Sequence, residues 1–553
     1  MNVRSFILYL CIGLLSIYGS HFIAASIASP LQLLWPSVVA LGIILVTRNA
    51  FVGLLIGAIS GAVILTGGDL LRAAESVFVQ QFLPIWMSPW KVSALVFTLL
   101  LGGFAGLIEA GGGLRNLVDR LLKTSDAIVE PPSARRMQST VLGFGLLVFF
   151  DGLANTLLVG RVLRSAADTV RVSREKLAYL ADTTGAAVAC LAFISTWIAF
   201  QLSMIEKGFQ LAGIEGASPY TYFFQSIPLN FYCWFALALA ALSIWKDFNP
   251  GAMRDRELAA RNRPFNRVHM QKEAAKAINE RSRFGWVAAV LPIGVLIFTV
   301  PLLAYLLGRE AGSDFSLATF GEAYARAEGQ VPYILIGASL LASAVAALFL
   351  FAKRPPQSIG EVADVYKRGV FDLAKPALIL ISAWMLAGAV ESLGTASWLS
   401  EQLAATLSPR WLPAAIFLLS AVIAFSTGTS WGTMALTMPL AIPLVITAGG
   451  EGLILGDLGF YISAVIGAVF SGAVFGDHCS PFSDTTIVAS VAAGVAPFDH
   501  FITQLPYALI AGVVALVAGF VLVGFSTAAW ISHLAGALLL LLFVQSKRKL
   551  PSN

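Results

Sequence analysis

Apolar runs of about twenty residues follow one another almost without pause along this chain, and that is the length a helix needs to cross a hydrocarbon core about 30 Å thick. They occupy residues 6–28, 31–47, 50–66, 92–112, 177–204, 225–245, 284–307, 333–352, 374–393, 457–493, 502–525 and 529–545. Two further apolar stretches, 138–160 and 411–447, are interrupted at their middles by glycine and polar residues. Only 12% of the 553 residues are charged and the mean hydropathy is +0.80, where an ordinary soluble chain carries about 25% charge. That leaves too little polar surface to clothe a globule in water. The solvent must be a lipid bilayer, and the expected class is an all-α polytopic membrane protein with about twelve transmembrane helices. The net charge of +5 is small and comes from loops, with no basic stripe among aromatics, so no nucleic-acid partner is expected.

The distribution of positive charge sorts the loops. Residues 246–283 hold ten Lys and Arg, 161–176 hold five, 353–375 hold five, and the tail carries Lys547, Arg548 and Lys549. The positive-inside rule places all of these in the cytoplasm. The loops 205–224, 308–332 and 394–410 hold fewer bases, and 308–332 carries four acids, so they belong outside. An even number of crossings must separate two cytoplasmic loops. That holds if 138–160 and 411–447 are re-entrant hairpins, the first entering from the cytoplasm and the second from outside; both termini are then cytoplasmic. Residues 1–30 read as a retained N-terminal transmembrane helix rather than a cleaved signal, because further spans follow at once. The basic segment 246–283 reads either as a solvated connector or as an amphipathic helix on anionic headgroups. Residues 529–553 read as a last helix and a basic tail. Cys11, Cys190, Cys233 and Cys479 lie in apolar stretches without metal-ligand spacing, and the first three read as small buried hydrophobes.

Comparing the chain with itself reveals a repeat between 31–245 and 284–528. GLIEAGGGL at 106–114 resembles GAVESLGTA at 388–396, which pairs Glu109 with Glu391. Each is followed by an interrupted stretch, FDGLANT at 150–156 in one half and FSTGTSWGT at 425–433 in the other. A long span with a polar centre comes next, containing Ser195 and Thr196 in the first half and Ser483, Asp484 and Thr485 in the second. By the charge argument span 92–112 runs inward and span 374–393 outward, so the halves have inverted topology. Inverted repeats with discontinuous helices that meet near the midplane are the mark of secondary transporters.

Ionisable groups at bilayer depth are functional candidates, and unwound backbone there must line a cavity or be buried in protein. The densest coincidence is GDHCSPFSDTT at 476–486, where Pro481 breaks the helix ladder beside Asp477, His478, Ser480, Ser483, Asp484 and Thr485. Hard oxygen donors and freed carbonyls suit a dehydrated Na⁺, and a poorly solvated carboxylate can exchange a proton for a cation. A second group is Asp151, Asn155 and Thr156 at the first hairpin, whose alternative role is to cap the hairpin's own helix ends. A third is the uncharged cluster Thr427, Thr429, Ser430 and Thr433, which either lines a site or joins helices. A fourth is Asp182 and Thr183, followed by Ser195 and Thr196. Glu109 and Glu391 lie near span ends, where snorkelling or pairing competes with transport. His478 is the only histidine that the sequence places in a polar cluster; His500 and His269 read as loop-exposed, and His21 and His533 as packing residues. No P-loop or nucleophile elbow occurs, so neither an enzyme nor ATP-driven transport is expected, and no cofactor beyond transported Na⁺ and H⁺.

The run at 476–486 is similar to the signature of the NhaC-type sodium/proton antiporter family of the ion-transporter superfamily. FFDGLANTLLVG (149–160), SREKLAYLADTTGAAVACLAFISTW (173–197) and STGTSWGTMALTMPLAIPL (426–444) agree with it, and the resemblance covers about residues 90 to 525. It implies cation-coupled antiport in a bacterial inner membrane, Na⁺ or Li⁺ against H⁺. Some members of the family exchange organic acids with ions, which leaves a small organic anion or amino acid as the alternative substrate. By motif, Asp477, His478, Ser480, Ser483, Asp484 and Thr485 would form one half-site, with Na⁺ at Asp477 and Asp484. Asp151, Asn155 and Thr156 would contribute from the first hairpin. Gly152 departs from the family pattern, which often has an acid there, and so removes one cation ligand or proton carrier. No motif bears on dimerisation, although a homodimer is compatible with the chain.

Overall fold

The computed structural model describes all residues except 1–2, 26–29, 48, 114–115, 118–119, 121–132, 150–151, 196, 263–281, 310–322, 324–325, 328–329, 354–355, 395–397, 399–407, 450–457, 482 and 546–553. Among the described residues every regular element is helical. The first half contains α1 (Val3–Ala25), α2 (Pro30–Thr47), α3 (Ala50–Leu65), α4 (Pro89–Gly111), α5 (Ala134–Leu147), α6 (Gly152–Thr169), α7 (Arg174–Leu191), α8 (Ile198–Leu211) and α9 (Phe231–Trp245). A short helix, α10 (Ala252–Arg261), follows. The second half contains α11 (Val287–Gly308), α12 (Val331–Phe351), α13 (Ile359–Asp372), α14 (Ala374–Ser392), α15 (Leu412–Thr427), α16 (Ser430–Gly449), α17 (Leu458–His478), α18 (Asp484–Ala493), α19 (Pro497–Val514) and α20 (Ala529–Gln545).

Seven described helices are long and apolar enough to cross a membrane, or eight if Pro219–Leu229 and Phe231–Trp245, bent by 43°, count as one span. The sequence reading of about twelve is not confirmed at that number among the described residues. The apolar stretch 177–204 is divided between α7, which ends at Leu191, and α8, which begins at Ile198. Two supposed loops are also partly helical. Within 353–375, α13 begins at a capping box formed by Ser358 and Glu361, and within 205–224 a short helix spans Pro219–Ser226.

Both halves carry the same sequence of elements, a helical hairpin followed by a broken helix. The pairs are α5–α6 with α7/α8, and α15–α16 with α17/α18. The hairpins interlock with the broken helices of both halves: α6 packs on α7 and α18, and α16 packs on α17 and α8. Glycine makes the closest of these approaches. A Cβ at Gly472 would press on the carbonyl oxygen of Phe417, and one at Gly476 on that of Ala421, so the pair four residues apart lets α15 lie directly on α17. Gly102 of α4 and Gly369 of α13 meet in the same way.

The breaks themselves follow from local chemistry. Gly428, at φ 66°, ends α15, and the Thr429 hydroxyl accepts the Gly432 N–H at 3.3 Å to open α16. Beyond α17, Ser483 caps α18 by accepting the Thr486 N–H at 3.0 Å. Helix ends at bilayer depth need such partners because no solvent is there to supply them.

The described part of the basic segment docks on protein through one face. Met253, Glu257 and Ala260 of α10 are buried, and α10 packs against α7 and α19. Arg256 pairs with Asp499 at 2.7 Å, Arg261 pairs with Asp247 at 2.6 Å, and Glu257 accepts the Ser173 N–H at 2.8 Å at the start of α7. Cys190 and Cys233 are buried, as read from the sequence, and Cys479 is buried too; the side chain of Cys11 lies outside the described residues.

Candidate ion site at the broken helices

Asp477 is the penultimate residue of α17 and is 3% exposed. Its Oδ2 accepts the Ser430 hydroxyl at 2.8 Å and the Thr485 hydroxyl at 3.3 Å. One carboxylate thus joins the end of α17, the first residue of α16 and the first turn of α18. The N-terminal ends of α16 and α18 favour negative charge at Asp477. The C-terminal carbonyls of α17 and the carboxylate together offer hard oxygen ligands to a cation. Ser480 is fully buried, and its Oγ has no hydrogen-bond partner among the described residues. Ser483 is buried and its hydroxyl is occupied by Thr486 and Thr485, at 3.0 and 3.2 Å, so it acts as a cap.

The tip of the second hairpin also reaches the first break. Trp431 lies 4.5 Å from Phe200 and 6.4 Å from Trp197, between ring centroids, while its neighbour Ser430 touches Asp477. The tip therefore sits between both broken helices. At the first break Ser195 accepts the Trp197 N–H at 3.2 Å and donates to the Ala189 carbonyl at 2.8 Å, which makes it a turn residue.

Several predicted residues also make contacts that hold the fold, and the buried Asn155 Oδ1 has no hydrogen-bond partner among the described residues. The Asn155 amide donates to the carbonyls of Gly145 and Val148 at 2.6 and 3.1 Å, closing the end of α5. Thr156 donates to the Gly152 carbonyl at 2.9 Å within its own helix, and Thr433 donates likewise to Thr429 at 2.9 Å. Thr183 is buried on α7, and Glu109 is exposed near the end of α4. Gly152 stands where its Cβ would lie 3.1 Å from the Gly185 carbonyl oxygen, so the position is filled by close packing of α6 on α7. Asp151 and Thr196 lie outside the described residues, as do the side chains of Asp484, Thr427 and Glu391.

Asp182 is fully buried and its Oδ2 faces His500 Nε2 at 3.2 Å and accepts the Gln504 amide at 2.7 Å. The same Gln504 nitrogen donates to the His478 carbonyl at 3.1 Å, while His478 Nδ1 meets the Tyr232 hydroxyl at 2.8 Å. This corrects the reading of His500 as loop-exposed and of His478 as the only histidine in a polar cluster. His500 is 0% exposed because the α19 turn that carries it packs against α7. Gln504 and Tyr232 were missed altogether, since lone polar residues in apolar helices carry no signal of their partners. The one hint was the four-residue spacing of His500 and Gln504, which places them on one helix face.

Residues 188–525 match the model of the Na⁺/H⁺ antiporter family. An uncharacterized protein of Haemophilus influenzae is 28% identical over 524 residues, covering 93% of this chain and 95% of that protein. The malate-2H⁺/Na⁺-lactate antiporter of Bacillus subtilis is 31% identical over 176 residues, 30% of this chain and 34% of that one. In fold, the chain is similar to the crystal structure of the Alcanivorax borkumensis YdaH transporter, with a TM-score of 0.51 and 16% identity over 83% of this chain and 90% of that one. The broken helices, the buried carboxylate between them and the family match agree: this chain belongs to the Na⁺/H⁺ antiporter family and is an integral membrane secondary transporter, not an enzyme.

Proposed function

We propose that this transporter exchanges Na⁺ or Li⁺ for H⁺ across a bacterial cytoplasmic membrane, with both termini on the cytoplasmic side. The observation that carries the reading is the Asp477 carboxylate, shared by Ser430 of the second hairpin and Thr485 of α18. Asp477 would hold the dehydrated cation, with Ser480 and the terminal carbonyls of α17 completing its oxygen shell. Two inverted repeats rocking about this point would expose it to each side in turn. In liposomes containing a pH-reporting dye, an imposed proton gradient should collapse on adding Na⁺ or Li⁺, and Asp477→Asn should abolish the response. A gradient indifferent to every monovalent cation rejects the reading.

A second reading, exchange of a small organic anion, draws support from the name of the Bacillus subtilis relative, an antiporter of malate and lactate. The N-termini of α16 and α18 suit a substrate carboxylate. Asp477 already occupies that position and repels a second anion, which is why the cation is preferred. Uptake of labelled organic acids with and without Na⁺ separates the two.

A further inference from the structure

Asp182 and His500 form a buried acid–imidazole couple, with 3.2 Å between Oδ2 and Nε2, that belongs to neither hairpin. An imidazole donating through Nε2 to a carboxylate keeps its lone pair on Nδ1, ready for a proton. Among the described residues His500 Nδ1 has no hydrogen-bond partner, and neither has Asp182 Oδ1. The charged and titratable neighbours are otherwise engaged. Lys176 of α7 donates to the hydroxyls of Ser243 and Tyr507, Glu257 of α10 holds the Ser173 N–H, and Asp499 of α19 pairs with Arg256 of α10. His478 of α17, which also faces Asp182, meets Tyr232 through Nδ1, while its Nε2 has no hydrogen-bond partner among the described residues.

The position of the couple is as telling as its chemistry. His500 is the fourth residue of α19, and the half-exposed Asp499–Arg256 pair beside it provides a polar approach. The ten residues of α18 lift the break at 479–483 about 15 Å from Gly494. His500 lies one helical turn before Gln504 on α19. One side chain bridges the interval: the Gln504 amide nitrogen uses one hydrogen on Asp182 and the other on the carbonyl of His478, next to Asp477.

We propose that Asp182 and His500 are the proton-carrying site of this transporter, separate from the cation site at Asp477, and that Gln504 couples the two. The inference rests on the Na⁺/H⁺ reading. A proton arriving on His500 Nδ1 makes an imidazolium held by Asp182 and adds one positive charge. It draws Asp182 away from the Gln504 amide, and with it the grip of that amide on the His478 carbonyl. Cation binding at Asp477 reverses the change, and the proton leaves from Nδ1.

The test uses purified full-length protein in weakly buffered detergent, titrated with NaCl against choline chloride between about pH 6 and 9. Proton release is read by a dye and Na⁺ affinity by calorimetry. Unsubstituted protein should release protons on binding Na⁺, with an affinity about tenfold weaker at the acid end. If it neither binds Na⁺ nor releases protons, the Na⁺/H⁺ reading itself fails. Given that response, His500→Gln, which keeps a donor toward Asp182, and Asp182→Asn should bind Na⁺ with an affinity varying less than about twofold over the same range and release under about a fifth of the protons. Gln504→Met should cut the release by at least about threefold. Wild-type pH dependence in His500→Gln and Asp182→Asn overturns the proton site, and full release in Gln504→Met overturns the coupling. A measurement without substitution guards against misfolded variants. In ¹⁵N-histidine-labelled protein, Na⁺ should change the protonation of a buried imidazole, and no Na⁺-linked change overturns the proposal.

Discussion

The Ser430 hydroxyl donates to Asp477 Oδ2 at 2.8 Å, so the first residue of α16 is tied to the penultimate residue of α17 across the junction where two helices stop. A hydrogen bond to a charged group contributes about 1.5–3 kcal/mol. Ser430→Ala frees Asp477 from the hairpin tip without removing the charge. The half-saturating Na⁺ concentration for exchange in liposomes should shift by about ten- to a hundredfold, with Asp477→Asn inactive beside it. An unshifted value would mean that the tip does not organise the cation site.

Asn155 separates a ligand from a brace. Both of its contacts are donations to carbonyls, so Asn155→Asp would set a carboxylate against two oxygen atoms. The variant should lose about 1–3 kcal/mol of stability, visible as a lower melting temperature in detergent. A cation ligand would behave in the opposite way, binding Na⁺ more tightly when made acidic, and that result would restore Asn155 to the ion site.

Gly476 is needed for its lack of a side chain. A Cβ there would lie 2.6 Å from Ala424 Cβ and press on the Ala421 carbonyl. Gly476→Val should force α15 off α17 at a cost of about 1–3 kcal/mol or more, seen as reduced folded yield and earlier thermal aggregation. A variant of wild-type stability would show that α15 and α17 do not approach this closely.

Lys176 and Glu257 are both buried, yet their removal should differ. Lys176 donates to Ser243 and Tyr507 at 2.9 and 3.0 Å, but both hydroxyls keep carbonyl acceptors, Ala240 and Phe248, at 2.7 and 3.0 Å. Lys176→Met therefore strands no donor and should cost less than about 1 kcal/mol. Glu257→Ala strands the Ser173 N–H at the start of α7 and should cost about 1–3 kcal/mol. Thermal unfolding of the two variants side by side gives the order, and the reverse order would make the Lys176 charge the stabilising element.

How much was legible in the sequence depended on the range of each interaction. The bilayer as solvent follows from runs of apolar residues, and a span is a local property. The break after α17 is equally local, since Pro481 and the neighbouring hydroxyls lie within one helical turn or two. The count of spans was less secure, because an apolar stretch such as 177–204 does not reveal whether the helix continues through Ser195 or turns there.

What only the tertiary structure decided is which polar groups meet. Asp182 finds His500 and Gln504 more than 300 residues away, at separations of 318 and 322, and Ser430 reaches Asp477 across 47. In the sequence, His500 follows Pro-Phe-Asp and looks like the end of a loop; packing of α19 on α7 buries it. Burying a polar group costs several kcal/mol unless a partner is supplied, and in lipid the partner must come from another helix. The sequence thus determined that the few interior polar groups must be paired or functional. The interlocking of the two halves determined which pairs form, because only helix packing brings such distant residues within hydrogen-bond reach.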